Sequence, residues 1–441
     1  MEIKQQVFVP RGSANVVNQS FGHSLVFINR NFIAAGTDGS ATDASWSGVH
    51  IYYKPDNAVA WDFFQTVYGE PETFERLKFG YSLASNHNAN TLVIGAPSRN
   101  TSDANVVCKK QWCDSCSWSS TDATPCGDRL ALIIESSSSS EDQVKDQIMS
   151  SGLCIAGEIC EEEDNSGVVY VFEPTGKEWK KVGVITSKEP SFGSAIAMED
   201  NVIAIGSPDE DKVHIYEKVE SQHWIPLETH SSSKGGRFGA SLSMSEGTLI
   251  VGAPNEGIGG AAYVYTKSAR GFAEQGRPLA VQDLSRGDNF GHHVSVSECT
   301  LAVSAKESVR IFNYDASSDF WVQDQNIIPF WVQDGVIVQT EQEVDGFFGE
   351  CLVMEGDNLL IGSSSSGAAG TVTHFTKANN VWTQHEVVSH PTNQNGNAGV
   401  FGCGVALLDR TALIGTEGSL QGSQLAGSFF ISDLCPDDEP V

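Results

Sequence analysis

The chain has 441 residues, with 27 Lys and Arg against 56 Asp and Glu, a formal charge of −29. A surface of that sign repels phosphates, which argues against DNA, RNA or an anionic membrane as partner. Hydrophobic residues make up 40% and charged residues 19%, so the chain can bury a core, and no apolar run reaches the ~20 residues of a membrane span.

The chain opens with Met1-Glu2-Ile3-Lys4-Gln5-Gln6, which lacks the apolar stretch of a signal peptide, and residues 2–9 form a short strand pattern. The dipeptide Phe-Gly follows at Phe21 and returns at Phe79, Phe192, Phe238, Phe290, Phe348 and Phe401, with spacings of 58, 113, 46, 52, 58 and 53 residues. Each copy begins a short run such as Phe238-Gly239-Ala240-Ser241-Leu242-Ser243-Met244. A continuously apolar run ending in glycine comes next, for example Thr91-Leu92-Val93-Ile94-Gly95-Ala96-Pro97 and Leu249-Ile250-Val251-Gly252-Ala253-Pro254. The fifth copy has only Leu301-Ala302-Val303-Ser304 there. A third run, such as Gly167-Val168-Val169-Tyr170-Val171-Phe172, precedes a fourth announced by an aromatic: Trp61, Trp179, Trp224, Phe272, Trp321 or Trp382.

The second run reads as a strand covered on both faces, and the third and fourth alternate as half-buried strands do. Helical repeats fail as an alternative because the runs are short, β-branched and bounded by Gly or Pro. Four strands per unit of roughly 50 residues describe propeller blades. The predicted fold is therefore all-β: a seven-bladed β-propeller of four-stranded blades, one domain over residues 1–441. The seventh unit supplies three strands before Leu434-Cys435-Pro436, so residues 2–9 are expected as its outer strand, closing the ring and leaving no incomplete edge.

In blade five, Phe320-Trp321-Val322-Gln323-Asp324 returns ten residues later as Phe330-Trp331-Val332-Gln333-Asp334, and either copy could serve as the outer strand. The third residue after each Phe is small (Ser24, Ser82, Ala195, Ser241, Cys351, Gly404) except His293, which we read as structural. The wide second spacing leaves an insertion, residues 98–166, within blade two. It carries six cysteines, Trp112, Trp118, a serine run at 136–140 and a short helix pattern near 141–151. With few apolar residues, such a segment needs disulfides as its staple. The disulfide candidates are Cys108, Cys113, Cys116, Cys126, Cys154, Cys160, Cys299, Cys351, Cys403 and Cys435; the pairing stays open. Sequons at Asn18 and Asn100 join the cysteines in pointing to a secreted, extracellular or cell-surface glycoprotein.

Phe-Gly, then Gly-Ala-Pro, then Gly-Val-Val-Tyr-Val-Phe resembles the FG-GAP repeat family, whose seven-bladed propeller forms the head of integrin α subunits. The likeness covers residues 2–435. It implies adhesion or ligand binding through the face that carries the links after the second strands. Several blades of that family bind Ca²⁺ between their first two strands. Here those links are hairpins such as Glu199-Asp200-Asn201 and Ser245-Glu246-Gly247, too short to wrap an ion, so neither structural calcium nor another cofactor is expected.

The expected function is an extracellular binding or adhesion propeller presenting loops to a protein or carbohydrate ligand. The candidate contacts are Asp38, Asp43, Trp46, Trp112, Trp118, Asp209, Glu210, Asp211, Asn255 and Glu256. The stretch Asp209-Glu210-Asp211 could bind a cation weakly but reads better as a solvated acidic turn. No nucleophile elbow, HExxH or P-loop occurs, so no catalytic residue, metal site or enzymatic activity is assigned. The alternatives are an extracellular polysaccharide hydrolase or lyase and a structural coat or matrix protein.

Overall fold

A computed structural model describes residues 6–8, 21–37, 48–56, 58, 60–69, 78–86, 90–97, 106–110, 158–162, 166–219, 223–279, 281, 283–328, 331–333, 336–338, 346–365, 368–389, 400–421 and 424–434. The chain forms two compact units, one of residues 1–99 with 165–441 and one of residues 100–164. The larger unit is a ring of seven antiparallel four-stranded sheets, with no helix among the described residues. Its innermost strands are Leu25–Phe27, Ser82–Asn86, Ile196–Glu199, Ser241–Ser245, Val294–Ser297, Gly346–Glu355 and Val400–Leu408. In the seventh sheet the fourth strand is Gln6–Phe8, with Gln6 opposite Ile431 and Phe8 opposite Phe429.

Burial follows the sequence pattern. The second strands Thr91–Ala96, Val202–Ser207 and Thr300–Ala305 are buried at every residue. Each is covered on both sides by neighbouring blades, and each Val or Ile so buried contributes about 1.5–3 kcal/mol. The outer strand Val381–Ser389 alternates instead, with one face toward water. The core is shared between adjacent blades. Ala204 and Val213 of blade three join Phe238, Val251 and Tyr263 of blade four, and Phe21, Phe27 and Trp61 of blade one join Leu413 and Phe429 of blade seven.

Both halves of the repeat have a physical cause. The Phe ring is driven edge-on into the third strand of its own blade, as in Phe79 on Tyr170 (5.3 Å between centroids, 68°) and Phe238 on Tyr263 (5.3 Å, 80°). The next residue takes φ between 87° and 95°, at Gly22, Gly80, Gly193, Gly239, Gly291, Gly349 and Gly402, a region that glycine enters without strain. The glycine near the end of the second strand answers a different demand. A Cβ on Gly252 would stand 2.0 Å from the Gly291 carbonyl oxygen of the next blade. Blade five departs with Ser304, whose Oγ accepts a bond from the His293 N–H at 2.8 Å.

The duplication in blade five resolves in favour of the first copy. Phe320–Ile327 pairs with Ser308–Asp315, while Trp331–Gln333 forms a separate hairpin with Val336–Val338. In blade two, Thr91–Ala96 pairs directly with Ser166–Thr175, so the 100–164 unit interrupts neighbouring strands. Within that unit Val106–Lys110 pairs antiparallel with Glu158–Glu162. Its serine run and residues 141–151 lie outside the described residues.

The disulfide expectation needs correction in the larger unit. Cys299, Cys351 and Cys403 form no disulfide. Cys299 is exposed at a hairpin, and the Cys351 thiol donates to the Cys403 backbone carbonyl instead of meeting its sulfur. Crowding at the axis turns this side chain toward the backbone of the next inner strand. Cys113, Cys116, Cys126, Cys154 and Cys435 lie outside the described residues.

Candidate functional site in the axial cavity

The inner strands bring the second and third residues after each Phe to a cavity of about 1290 Å³ at the centre of the ring. Position three is mostly structural. Ser24 Oγ donates to the Gly80 carbonyl at 2.6 Å, Ser82 Oγ to Gly193 at 2.7 Å and Ser241 Oγ to Gly291 at 2.9 Å. Each bond joins one blade to the next, and only a small side chain fits at so close an approach.

Position two carries the chemistry, with His23, Tyr81, His292, Glu350 and Cys403 on five different blades facing one cavity. The His23 and Tyr81 rings lie 5.0 Å apart, and Lys78 Nζ stands 5.6 Å from the centroid of Tyr81. Opposite them in the ring order, His292 and His293 have ring centroids 4.9 Å apart. Desolvation first, then the charges of His292 and His23, push the His293 imidazole down to about 3. His293 keeps partial access to the cavity, yet protein surrounds it deeply enough to remove most of its hydration. His292 is depressed by desolvation and by the nearby Arg237 guanidinium. At neutral pH both rings are therefore uncharged donor–acceptor groups.

Charged side chains complete the wall. Arg237, at φ 62°, precedes the blade-four Phe and lies 3.8 Å from Asp209. Pro254 and Asn255 come from the link after the second strand of blade four, and Lys306 and Glu307 from the equivalent link of blade five. Among the described residues no group of three or more His, Cys, Asp or Glu is placed to hold a metal ion.

The structure distributes the predicted contact residues unevenly. Asn255 lines the cavity, and its N–H donates to the Gly236 carbonyl at 2.9 Å. Glu256 is buried: both its oxygens accept from the Tyr263 hydroxyl at 2.7 Å, and Lys234 Nζ lies 3.2 Å away. Asp209 accepts from Ser191 Oγ, and Asp211 Oδ1 accepts from the Phe238 N–H at 3.0 Å. The acidic turn is thus partly tied to the loops that enter blades three and four, while Glu210 stays exposed. Asp38, Asp43, Trp46, Trp112, Trp118 and the sequons at Asn18 and Asn100 lie outside the described residues. His23, Tyr81, His292 and Arg237 were missed from sequence. Reading the second residue after every Phe would have found the first three, since the same register repeats around the axis.

The FG-GAP repeat family matches residues 231–265, which span the first two strands and most of the third strand of blade four. Among curated proteins none matches the sequence. A solved protein from Lactobacillus plantarum superposes with a TM-score of 0.54 at 12% identity, covering 91% of this chain and 99% of that one. A chain of the mitotic checkpoint complex gives 0.51 at 10% identity, covering 97% and 93%. A proposed 6-phosphogluconolactonase from Bacteroides uniformis gives 0.52 at 8% identity, covering 87% and 88%. At such identities the likeness shows the fold alone. The chain is a seven-bladed β-propeller carrying an FG-GAP repeat, in keeping with an integrin-like propeller.

Proposed function

We propose that the protein is an extracellular binding propeller that takes a protein or glycan ligand on the face carrying the links after its second strands. The observation that supports this reading is the axial cavity, whose wall includes those links at Asn255, Lys306 and Glu307. A concave site with a few convergent polar groups on a rigid scaffold is the usual form of a binding pocket. Tyr81 offers an aromatic face, and Arg237, His23 and His292 offer hydrogen bonds around it. The test is a glycan array together with pull-down from cell surfaces, followed by titration of the captured ligand. Tyr81→Ala and Arg237→Ala should each weaken binding by at least tenfold while leaving the melting temperature within a few degrees. Unchanged affinity in both variants overturns the assignment to this cavity.

One observation favours a second reading, an enzyme acting on extracellular polysaccharide. His23 and Tyr81 sit side by side on adjacent inner strands, and an imidazole beside a phenol can shuttle protons at a bound sugar. Release of new reducing ends from an extracellular polysaccharide, abolished by His23→Ala, would support this reading over simple binding.

A further inference from the structure

The smaller unit places two of its six cysteines in one register position. Val106–Lys110 and Glu158–Glu162 form a five-residue antiparallel ladder in which Val106 faces Glu162, Lys110 faces Glu158, and the central pair is Cys108 with Cys160. We infer that Cys108 and Cys160 form a disulfide that ties the base of the insertion.

The argument is geometric and rests on the backbone. Directly opposed residues of an antiparallel pair have Cα atoms about 4.5 or 5.5 Å apart, according to their place in the hydrogen-bond pattern. Disulfides span Cα separations of about 4.4–6.8 Å, so either position satisfies the bond without moving a strand. A shift of register by a single residue would set Cys108 against Ile159 or Glu161 and remove the coincidence. Position in the ladder adds to the case. The pair lies at its centre, where two strands are held on both sides by further pairs.

Composition supplies the need for such a bond. Between the two strands lie 47 residues, 111–157, rich in Ser, Asp and Cys and poor in large apolar side chains. A two-stranded hairpin is marginal in water by itself, and a covalent link across it removes much of the freedom of the long loop it closes. Bridging Cys108 to Cys160 leaves Cys113, Cys116, Cys126 and Cys154. The possible pairings of the six then fall from fifteen to three. The contrast with the larger unit is chemical as well. Cys299, Cys351 and Cys403, the described cysteines of the larger unit, form no disulfide.

Formation is an exchange reaction. The Cys108 thiolate attacks a disulfide of a dithiol–disulfide oxidant and gives a mixed disulfide. The Cys160 thiolate then displaces the oxidant's sulfur. Two S–H bonds are lost and one S–S bond is formed, with two electrons and two protons passing to the oxidant, which leaves as a dithiol.

The experiment uses the full chain, equilibrated with a glutathione redox couple and alkylated without reduction. Cleavage after Lys, Arg and Glu separates all the relevant sites: Arg99 and Lys109 bound the Cys108 peptide, and Glu158 and Glu161 isolate Cys160 from Cys154. The expected product is the 100–109 peptide linked to the 159–161 peptide, lost on reduction. In a second measurement Cys108→Ser should expose one new alkylatable thiol, at Cys160. Linkage of Cys108 to Cys113, Cys116, Cys126 or Cys154 overturns the inference. So does alkylation of both Cys108 and Cys160 in the equilibrated protein.

Discussion

Gln325, on the outer strand of blade five, grips the backbone of Trp382 on the outer strand of blade six. Its Nε2 donates to the Trp382 carbonyl at 2.8 Å, and its Oε1 accepts from the Trp382 N–H at 3.0 Å. Gln65 holds Trp179 in the same way between blades one and two, at 3.0 and 2.8 Å. Glu228 occupies the equivalent place in blade three and accepts from the Phe272 N–H. A primary amide has one donor edge and one acceptor edge, so it can stand in for a missing strand neighbour. The clamp also separates the two copies of the duplicated segment, because Gln325 follows Asp324 in the first copy and Gly335 follows Asp334 in the second.

Removing that clamp should cost measurable stability. Gln325→Ala strips two partners from a partly buried peptide group and should lower unfolding free energy by about 1–3 kcal/mol. Gln65→Ala should behave alike, since its geometry is the same. Urea denaturation with an unchanged midpoint in both variants would refute the clamp as a stabilising contact.

The two kinds of glycine should respond differently to a methyl group. In Gly252→Ala the new Cβ meets the Gly291 carbonyl oxygen at 2.0 Å, a backbone atom that cannot move without opening the blade interface. We expect a loss of more than about 3 kcal/mol or failure to fold. Gly257→Ala, at φ 63° with nothing within 4 Å of the added Cβ, should cost only about 1 kcal/mol. Equal losses in the two variants would contradict the close-approach account.

Stability should decline with acid through a buried histidine. His50 is 6% exposed, Thr66 Oγ1 lies 3.1 Å from its Nδ1, and desolvation lowers its pKa to about 4. The unfolded chain takes up this proton near pH 6.5, whereas the folded chain resists until about pH 4. The contribution is therefore complete above pH 6.5 and lost as pH falls through that window, by up to about 3 kcal/mol. Melting curves of the wild type and His50→Gln from pH 7 to 4 should converge as the pH falls. Parallel curves would show that His50 is not the group responsible.

Residues 6–8 should matter beyond their number. They cover the edge of Gln424–Asp433 through Phe429, Phe430 and Ile431. Deleting residues 1–10 bares that edge and should lower the melting temperature and promote self-association. A deletion variant that stays monomeric with an unaltered melting temperature would show that the edge is protected otherwise.

Most of the fold was legible because the constraints are local and repeated. Each Phe-Gly needs a buried ring and a left-handed glycine, each second strand needs apolar residues on both faces, and both demands appear seven times, 46 to 58 residues apart except across the insertion in blade two. The duplicated segment of blade five was not legible by periodicity. Its copies share five residues, and the choice depends on Gln325 reaching Trp382, a contact 57 residues away in sequence.

By itself, then, the sequence determined the number of blades, the strand pattern within each and the acidic surface, since these follow from side-chain period and charge. The tertiary structure decided which side chains meet at the axis. His23, Tyr81, His292 and Arg237 come from four blades and face one cavity only because the inner strands converge there. It also assigned Glu256 and Asp211, which read as solvent-facing carboxylates, to hold Tyr263 and the Phe238 N–H. A carboxylate's partner lies across space, where neither composition nor spacing can point to it.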